Sequence, residues 1–271
     1  MVSSTTSADG LRIAFDDAGS GEPALLCMPS WCSDRSQFQP LFPLLSQHLR
    51  TVVLDWRGHG DSDVPRSDYG HEQMTEDALA VLAASGAERF VGITAGHAGW
   101  VGLNLRRRTG RRMVGLVAVS WMVLGAPPTF MEALKQLRQE DRWEAVRDSL
   151  LEMWRGEGSN PDVDEQIARM SRCGQENWMR AGREIAAAFA RYGSPIAALS
   201  ALHPPLPTLH IYAQPTDPSG VQAQREWART EPWFEVQRIE AHSHFPQFEL
   251  REHVAELIKS FATRRASEDL L

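Results

Sequence analysis

The sequence predicts an α/β protein: a mostly parallel sheet flanked by helices, with a helical cap inserted late in the chain. Three observations carry this expectation. Short apolar, partly β-branched runs recur along the chain, and they are continuous rather than alternating, as suits strands buried on both faces. Helical or turn-rich segments separate them, the texture of a parallel sheet. From Trp121 to about Ser200 the strand signals stop, and helices bearing Trp and Met take over.

The expected strands are Leu11 to Phe15, Ala24 to Met28, Thr51 to Leu54, Phe90 to Thr94, Val114 to Val119, Thr208 to Tyr212 and Trp233 to Ile239. The first is followed by Asp17-Ala-Gly-Ser-Gly, a hairpin-like turn, so the N-terminal edge is expected to be antiparallel. Helical segments are read at Phe130 to Leu137, Trp143 to Trp154, Val163 to Cys173 and Asn177 to Tyr192. The expected division is a core over residues 1–121 and 201–271 and a cap over 122–200. The charged tail from Arg264 is expected to fray.

With 271 residues the chain has room for one large domain with a modest insertion. A net charge of -7 carries no basic surface for a nucleic acid, and the one basic cluster, Arg106 to Arg112, reads as a solvated helix end. The three cysteines form no paired framework, no apolar leader follows Met1, and no run is long enough to span a membrane. A cytoplasmic protein without nucleic-acid or membrane partners is expected.

Four loops, besides the turn at Gly96, would meet at the C-terminal edge of such a sheet, where open α/β folds place ligands. Gly92 to Gly102, GITAGHAGWVG, has the strand, sharp turn and helix of the nucleophile elbow of the α/β-hydrolase fold. Its central position, where that motif carries Ser, Cys or Asp, is Gly96. Backbone N–H groups survive any change of side chain, so Trp31 after the strand ending at Met28, together with His97, retains the donors of an oxyanion hole. Asp55-Trp-Arg-Gly-His-Gly-Asp-Ser has the structural turn of the same fold, with Asp55 and His59 read as pinning it. His244, in Ala241-His-Ser-His-Phe-Pro, stands where that fold places its catalytic histidine; His242 is the weaker candidate. Asp217, in Ala213-Gln-Pro-Thr-Asp-Pro, is a candidate to orient His244, beside its alternative reading as a turn residue.

Together these loops resemble the cofactor-independent 2,4-dioxygenases of 3-hydroxy-4(1H)-quinolones, an offshoot of the α/β-hydrolases. The resemblance spans nearly the whole chain. It rests on Ser30-Trp-Cys-Ser-Asp, Asp55-Trp-Arg-Gly-His-Gly, His97-Ala-Gly-Trp, Trp121 to Pro128, Trp154, Trp178, Gly182-Arg183, Gln214-Pro-Thr-Asp-Pro, Pro232-Trp-Phe and His244-Phe-Pro. It implies ring opening of a 2-alkyl quinolone by O2, with release of carbon monoxide and an N-acylanthranilate, and no metal or flavin. It also implies His244 as base, Trp31, Gly96 and His97 at the anion site, and Trp154 and Trp178 over the substrate. The family's elbow serine is replaced by Gly96, and the aspartate before its tryptophan by Ser120. Either Ser120 or Asp217 is left to orient His244, with Asp217 preferred. Deprotonating a 3-hydroxyl needs a base rather than a nucleophile, so the loss at 96 is compatible with that chemistry. A lyase, cyclase or hydrolase using a His-activated water, or a non-catalytic binder, are the alternatives on the same scaffold.

Overall fold

The computed structural model describes residues 3–214 and 216–267. Pro215 and residues 268–271, parts of the Gln-Pro-Thr segment and of the charged tail, lie outside the described residues. Eight strands among the described residues form one sheet: β1 Ser3–Thr6, β2 Arg12–Ala18, β3 Ala24–Met28, β4 Thr51–Leu54, β5 Phe90–Ala95, β6 Met113–Val119, β7 Thr208–Tyr212 and β8 Phe234–Arg238. Their spatial order is β1-β2-β4-β3-β5-β6-β7-β8. Pairing is parallel from β4 through β8 and antiparallel for β1 with β2 and β2 with β4.

The continuous apolar strands are those buried on both faces: β3, β4, β5 and β7 have every residue buried. The turn after β2 does not make a hairpin with β3, because β4 lies between them and pairs with both. β1, Ser-Ser-Thr-Thr, was not among the expected strands. It alternates partly buried with exposed residues along the sheet edge, so it needs no apolar run.

Helices α1 Phe42–Ser46, α2 His71–Ser85 and α3 Gly99–Thr109 connect the first strands. Between β6 and β7 the described residues hold α4 Pro128–Gln136, α5 Trp143–Arg155, α6 Pro161–Ser171, α7 Gln175–Tyr192 and α8 Pro195–Ser200, and no strand. The chain closes with α9 Pro218–Thr230, α10 Pro246–Glu249 and α11 Arg251–Ser267. The tail expected to fray from Arg264 thus continues in helix to Ser267, where Arg264 pairs with Glu235 of β8 at 2.6 Å.

The Asp55 turn has the structural part read for it. Asp55 accepts from the Arg35 and Asp61 backbone N–H groups and pairs with the Arg35 guanidinium. Gly60, at φ +50, brings its backbone so close that a Cβ there would overlap the Asp55 carboxylate.

Candidate functional site

One cavity opens where the C-terminal ends of β3, β5 and β6 meet the inserted helices, holding about 750 Å³ of non-atom space with its mouth included. Its polar end is built by Ser30, Gly96, His97, Ser120, His244 and Gln247. Its other end is aliphatic, with Leu134, Leu137, Leu150, Met170 and Ile185 supplied by or next to α4 to α7.

The loop after β3 is clamped on both sides of Trp31. Ser30 N–H donates to Gln37 Oε1 at 2.7 Å, and Cys32 N–H to His59 Nε2 at 3.2 Å. The Trp31 N–H between them makes no hydrogen bond. His97 N–H, in the first turn after β5, likewise has no intrahelical acceptor. Two open backbone donors therefore stand at the polar end. The Trp31 indole is held from behind: its Nε1–H donates to His71 Nε2 at 3.3 Å, and Glu184 Oε2 lies 3.7 Å from His71 Nδ1. The indole also stacks on Tyr69 at 6.0 Å.

At the elbow, Gly96 takes φ +50, a left-handed conformation that a side chain adopts only with strain. The space beside it is open, since a Cβ there would meet only Ser30 Cβ, at 3.6 Å. The His97 ring stacks on Phe130 at 5.5 Å and stands edge-on to Phe189. Burial, reinforced by the nearby His244 and His71, lowers its pKa to about 3.

His244 enters from the loop after β8. Its N–H donates to the Trp154 carbonyl at 2.7 Å, and its ring stacks on Trp154 at 5.6 Å. Trp154 stacks in turn on Trp178 at 6.3 Å, whose Nε1–H donates to Met170 O. Burial lowers the His244 pKa to about 4, because the imidazolium loses its hydration with no counter-charge in return. The loop is fixed from below: Glu249 accepts from the His242 and Ser243 N–H groups, and Gln214 Nε2 donates to His242 O at 2.7 Å. His242 itself is exposed.

The structure corrects the preferred partner of His244. Asp217 is exposed and caps α9, accepting from Ser219 Oγ and Gly220 N–H, both at 2.7 Å. Those bonds, Ser219 first, lower its pKa. Asp-Pro at a helix start is a capping signature, and the cap holds the carboxylate away from the cavity. Ser120 does line the cavity, at φ +55 and with its N–H on Ile211 O, yet its Oγ makes no hydrogen bond to His244 or to any other group.

Three cavity groups escaped the sequence reading. Ser30 Oγ and Gln247 Oε1 are buried without partners, like His97 Nδ1, and Gln37 spends its Oε1 on the loop. Ser30 and Gln247 had a signal, lying one residue before Trp31 and three after His244. His71 and Glu184 had none, being 113 residues apart in sequence. Among the described residues, no cluster of three or more His, Cys, Asp or Glu side chains could hold a metal ion, and no helix is long and apolar enough to cross a membrane.

The sequence profile of the alpha/beta hydrolase family matches residues 20–257. The chain is 32% identical over 258 residues to the 2-heptyl-3-hydroxy-4-quinolone dioxygenase AqdC2 of Rhodococcus erythropolis, covering 93% of this chain and 96% of that one. It is 28% identical to the 1H-3-hydroxy-4-oxoquinoline 2,4-dioxygenase of Pseudomonas putida, covering 93% and 97%. The solved structure of an AqdC variant with its substrate, from work on ring cleavage of the Pseudomonas quinolone signal, superposes with a TM-score of 0.92 at 30% identity, covering 97% of this chain and 99% of that one. The elbow, the Trp31 loop, the histidine loop and these likenesses agree: the chain belongs to the alpha/beta hydrolase family and, within it, to the 3-hydroxy-4-quinolone dioxygenases.

Proposed function

We propose that this protein is a ring-cleaving 2,4-dioxygenase of 2-alkyl-3-hydroxy-4(1H)-quinolones that uses O2 without metal or flavin. The observation that carries the reading is the cavity itself. A partly buried imidazole that burial keeps neutral shares one cavity wall with the residues of two open N–H donors, and aliphatic side chains of the inserted helices line the rest. A flat head with an ionisable hydroxyl fits the polar end, and an alkyl substituent fits the aliphatic one.

His244 takes the 3-hydroxyl proton. The Trp31 and His97 N–H groups stabilise the resulting oxyanion, a contribution that grows as water is excluded. The electron-rich anion reduces O2, and the two oxygen atoms bond to C2 and C4. Carbon 3 leaves with its own oxygen as carbon monoxide, and the remainder is the N-acylanthranilate. No acyl-enzyme forms, so no nucleophile is required at Gly96. Trp154 and Trp178 cover the ring from the inserted segment 122–200, which acts as the cap.

Oxygen uptake and carbon monoxide release, measured with 2-heptyl- and 2-methyl-3-hydroxy-4-quinolone, test the reading. Stoichiometric carbon monoxide is expected, with the longer chain preferred because the aliphatic chamber buries it. Binding without oxygen uptake would support a second reading, a non-catalytic quinolone binder. That reading is favoured by the absence, among the described residues, of a carboxylate bonded to His244.

A further inference from the structure

The elbow lacks a side chain, but the space beside it is not without a hydroxyl. A Cβ built at Gly96 would lie 3.6 Å from Ser30 Cβ, an ordinary van der Waals contact. Ser30 therefore starts its side chain next to where an elbow side chain would start its own. Its Oγ is buried, lines the cavity and has no hydrogen-bond partner. Buried hydroxyls are normally paired, so an unpaired one at a polar cavity wall points to a ligand atom. The loop leaves it little freedom, because the Ser30 N–H is tied to Gln37 and the Pro29 carbonyl to Trp56 Nε1. The open Trp31 N–H is the very next donor along the chain.

We propose that Ser30 supplies, from the loop after β3, the hydroxyl that position 96 lacks, donating a hydrogen bond to the anionic oxygen of the substrate beside the Trp31 N–H. Ser30 is a donor and not a nucleophile, since no base is hydrogen-bonded to its Oγ. The identity of the anion rests on the quinolone reading; the relocation of the hydroxyl does not.

The test has two readouts. Without oxygen, the absorbance of bound 2-heptyl-3-hydroxy-4-quinolone reports ionisation of its 3-hydroxyl, and p-nitrophenol serves in parallel as a coloured, planar acid. With oxygen, turnover is read as kcat and KM. Ser30→Ala keeps the Cβ and removes only the hydroxyl. It should favour the protonated bound probe and lower kcat by about 10- to 100-fold, the range for one hydrogen bond to a charged group, with KM changed less. The double variant Ser30→Gly with Gly96→Ser should recover most of that loss, the hydroxyl now coming from the elbow. Gly96→Ser alone should lower kcat, because two hydroxyls then compete for one oxygen at a strained φ.

Wild-type ionisation and turnover in Ser30→Ala would overturn the proposal. So would the same fold-effect of Gly96→Ser with Ser30 present or absent, or a wild-type pocket that ionises neither probe more readily than water does. Ionisation of the quinolone without oxygen uptake would instead refute the oxygenase reading while leaving the Ser30 comparison intact.

Discussion

His244 stands in the cavity as a partly buried imidazole, tethered among the described residues by a hydrogen bond from its backbone N–H to Trp154 O. Its lowered pKa of about 4 keeps it neutral, hence able to accept a proton, down to acidic pH. The sign follows directly: activity needs the unprotonated ring, so kcat/KM should be level above about pH 5 and fall as pH drops through about 4. His244→Ala should lower kcat by about 100- to 10,000-fold while the quinolone still binds; turnover within threefold of wild type would refute the assignment. Ser120→Asp places a carboxylate at the cavity wall where Ser120 Oγ has no partner. It should raise the His244 pKa, moving the acid limb upward by about 1–3 units, and speed proton removal. An unmoved limb in the pH–rate profile would show that position 120 does not reach the imidazole. At this scale the sequence was legible in part. The placement of His244, Trp31 and His97 at the cavity was legible because each follows a recognisable strand. The preference for Asp217 over Ser120 failed, because strand order says where a loop begins but not where its side chains point.

Whole elements meet behind the cavity wall through a few polar links. Glu184 of α7, His71 of α2 and Trp31 of the β3 loop form one chain, and Gln166 of α6 donates to Ser33 Oγ at 2.7 Å. Because the indole N–H donates to His71 Nε2, the imidazole must carry its proton on Nδ1, the nitrogen that faces Glu184. Burial lowers the His71 pKa to about 4, opposed by Glu184, so this tautomer persists at neutral pH. Trp31→Phe and His71→Phe should each cost about 1 kcal/mol of stability. The double variant should cost clearly less than the sum, as expected for two ends of one bond. Additive losses in urea denaturation would show the bond to be energetically idle. The strands were legible from apolar continuity, β1 excepted, and α3 to α7 from the elbow and helical texture, whereas α1, α2 and α8 to α11 were not singled out. Contacts such as His71 with Glu184 were not, because a pairing 113 residues long leaves no local pattern.

At the scale of the molecule, crossing a parallel sheet delivers every loop after a strand to the same edge. Four distant segments therefore build one cavity. That convergence was legible in part from strand order and direction: the loops after β3, β5 and β8 line the cavity, whereas those expected to bring Asp55 and Asp217 do not. The same packing holds four histidines in neutral form, His71 and His210 buried and His97 and His244 partly so. Burial lowers His71, His210 and His244 to about 4 and His97 to about 3. In the unfolded chain each returns to about 6.5. A group whose folded pKa is depressed binds its proton more readily when unfolded, so its contribution is fully present above about pH 6.5 and is lost as pH falls toward 4. Asp55 and Asp77, raised by burial against the pull of Arg35 and Arg57, oppose this by binding protons in the folded state. Asp9 and Asp68, held low by hydrogen bonds from Arg57 and Arg180, act in the same direction as the histidines, as does Glu249, held low against burial by a hydrogen bond from Ser243. Unfolding near pH 5 should take up about two to four protons, and the urea midpoint should drop steadily from pH 7 to pH 4.5. His97→Phe removes one of those sites while keeping a ring against Phe130, so the proton uptake should fall by about one. A midpoint independent of pH across that window would mean that the histidines are already solvated in the folded protein, and the dry polar pocket would then have to be abandoned.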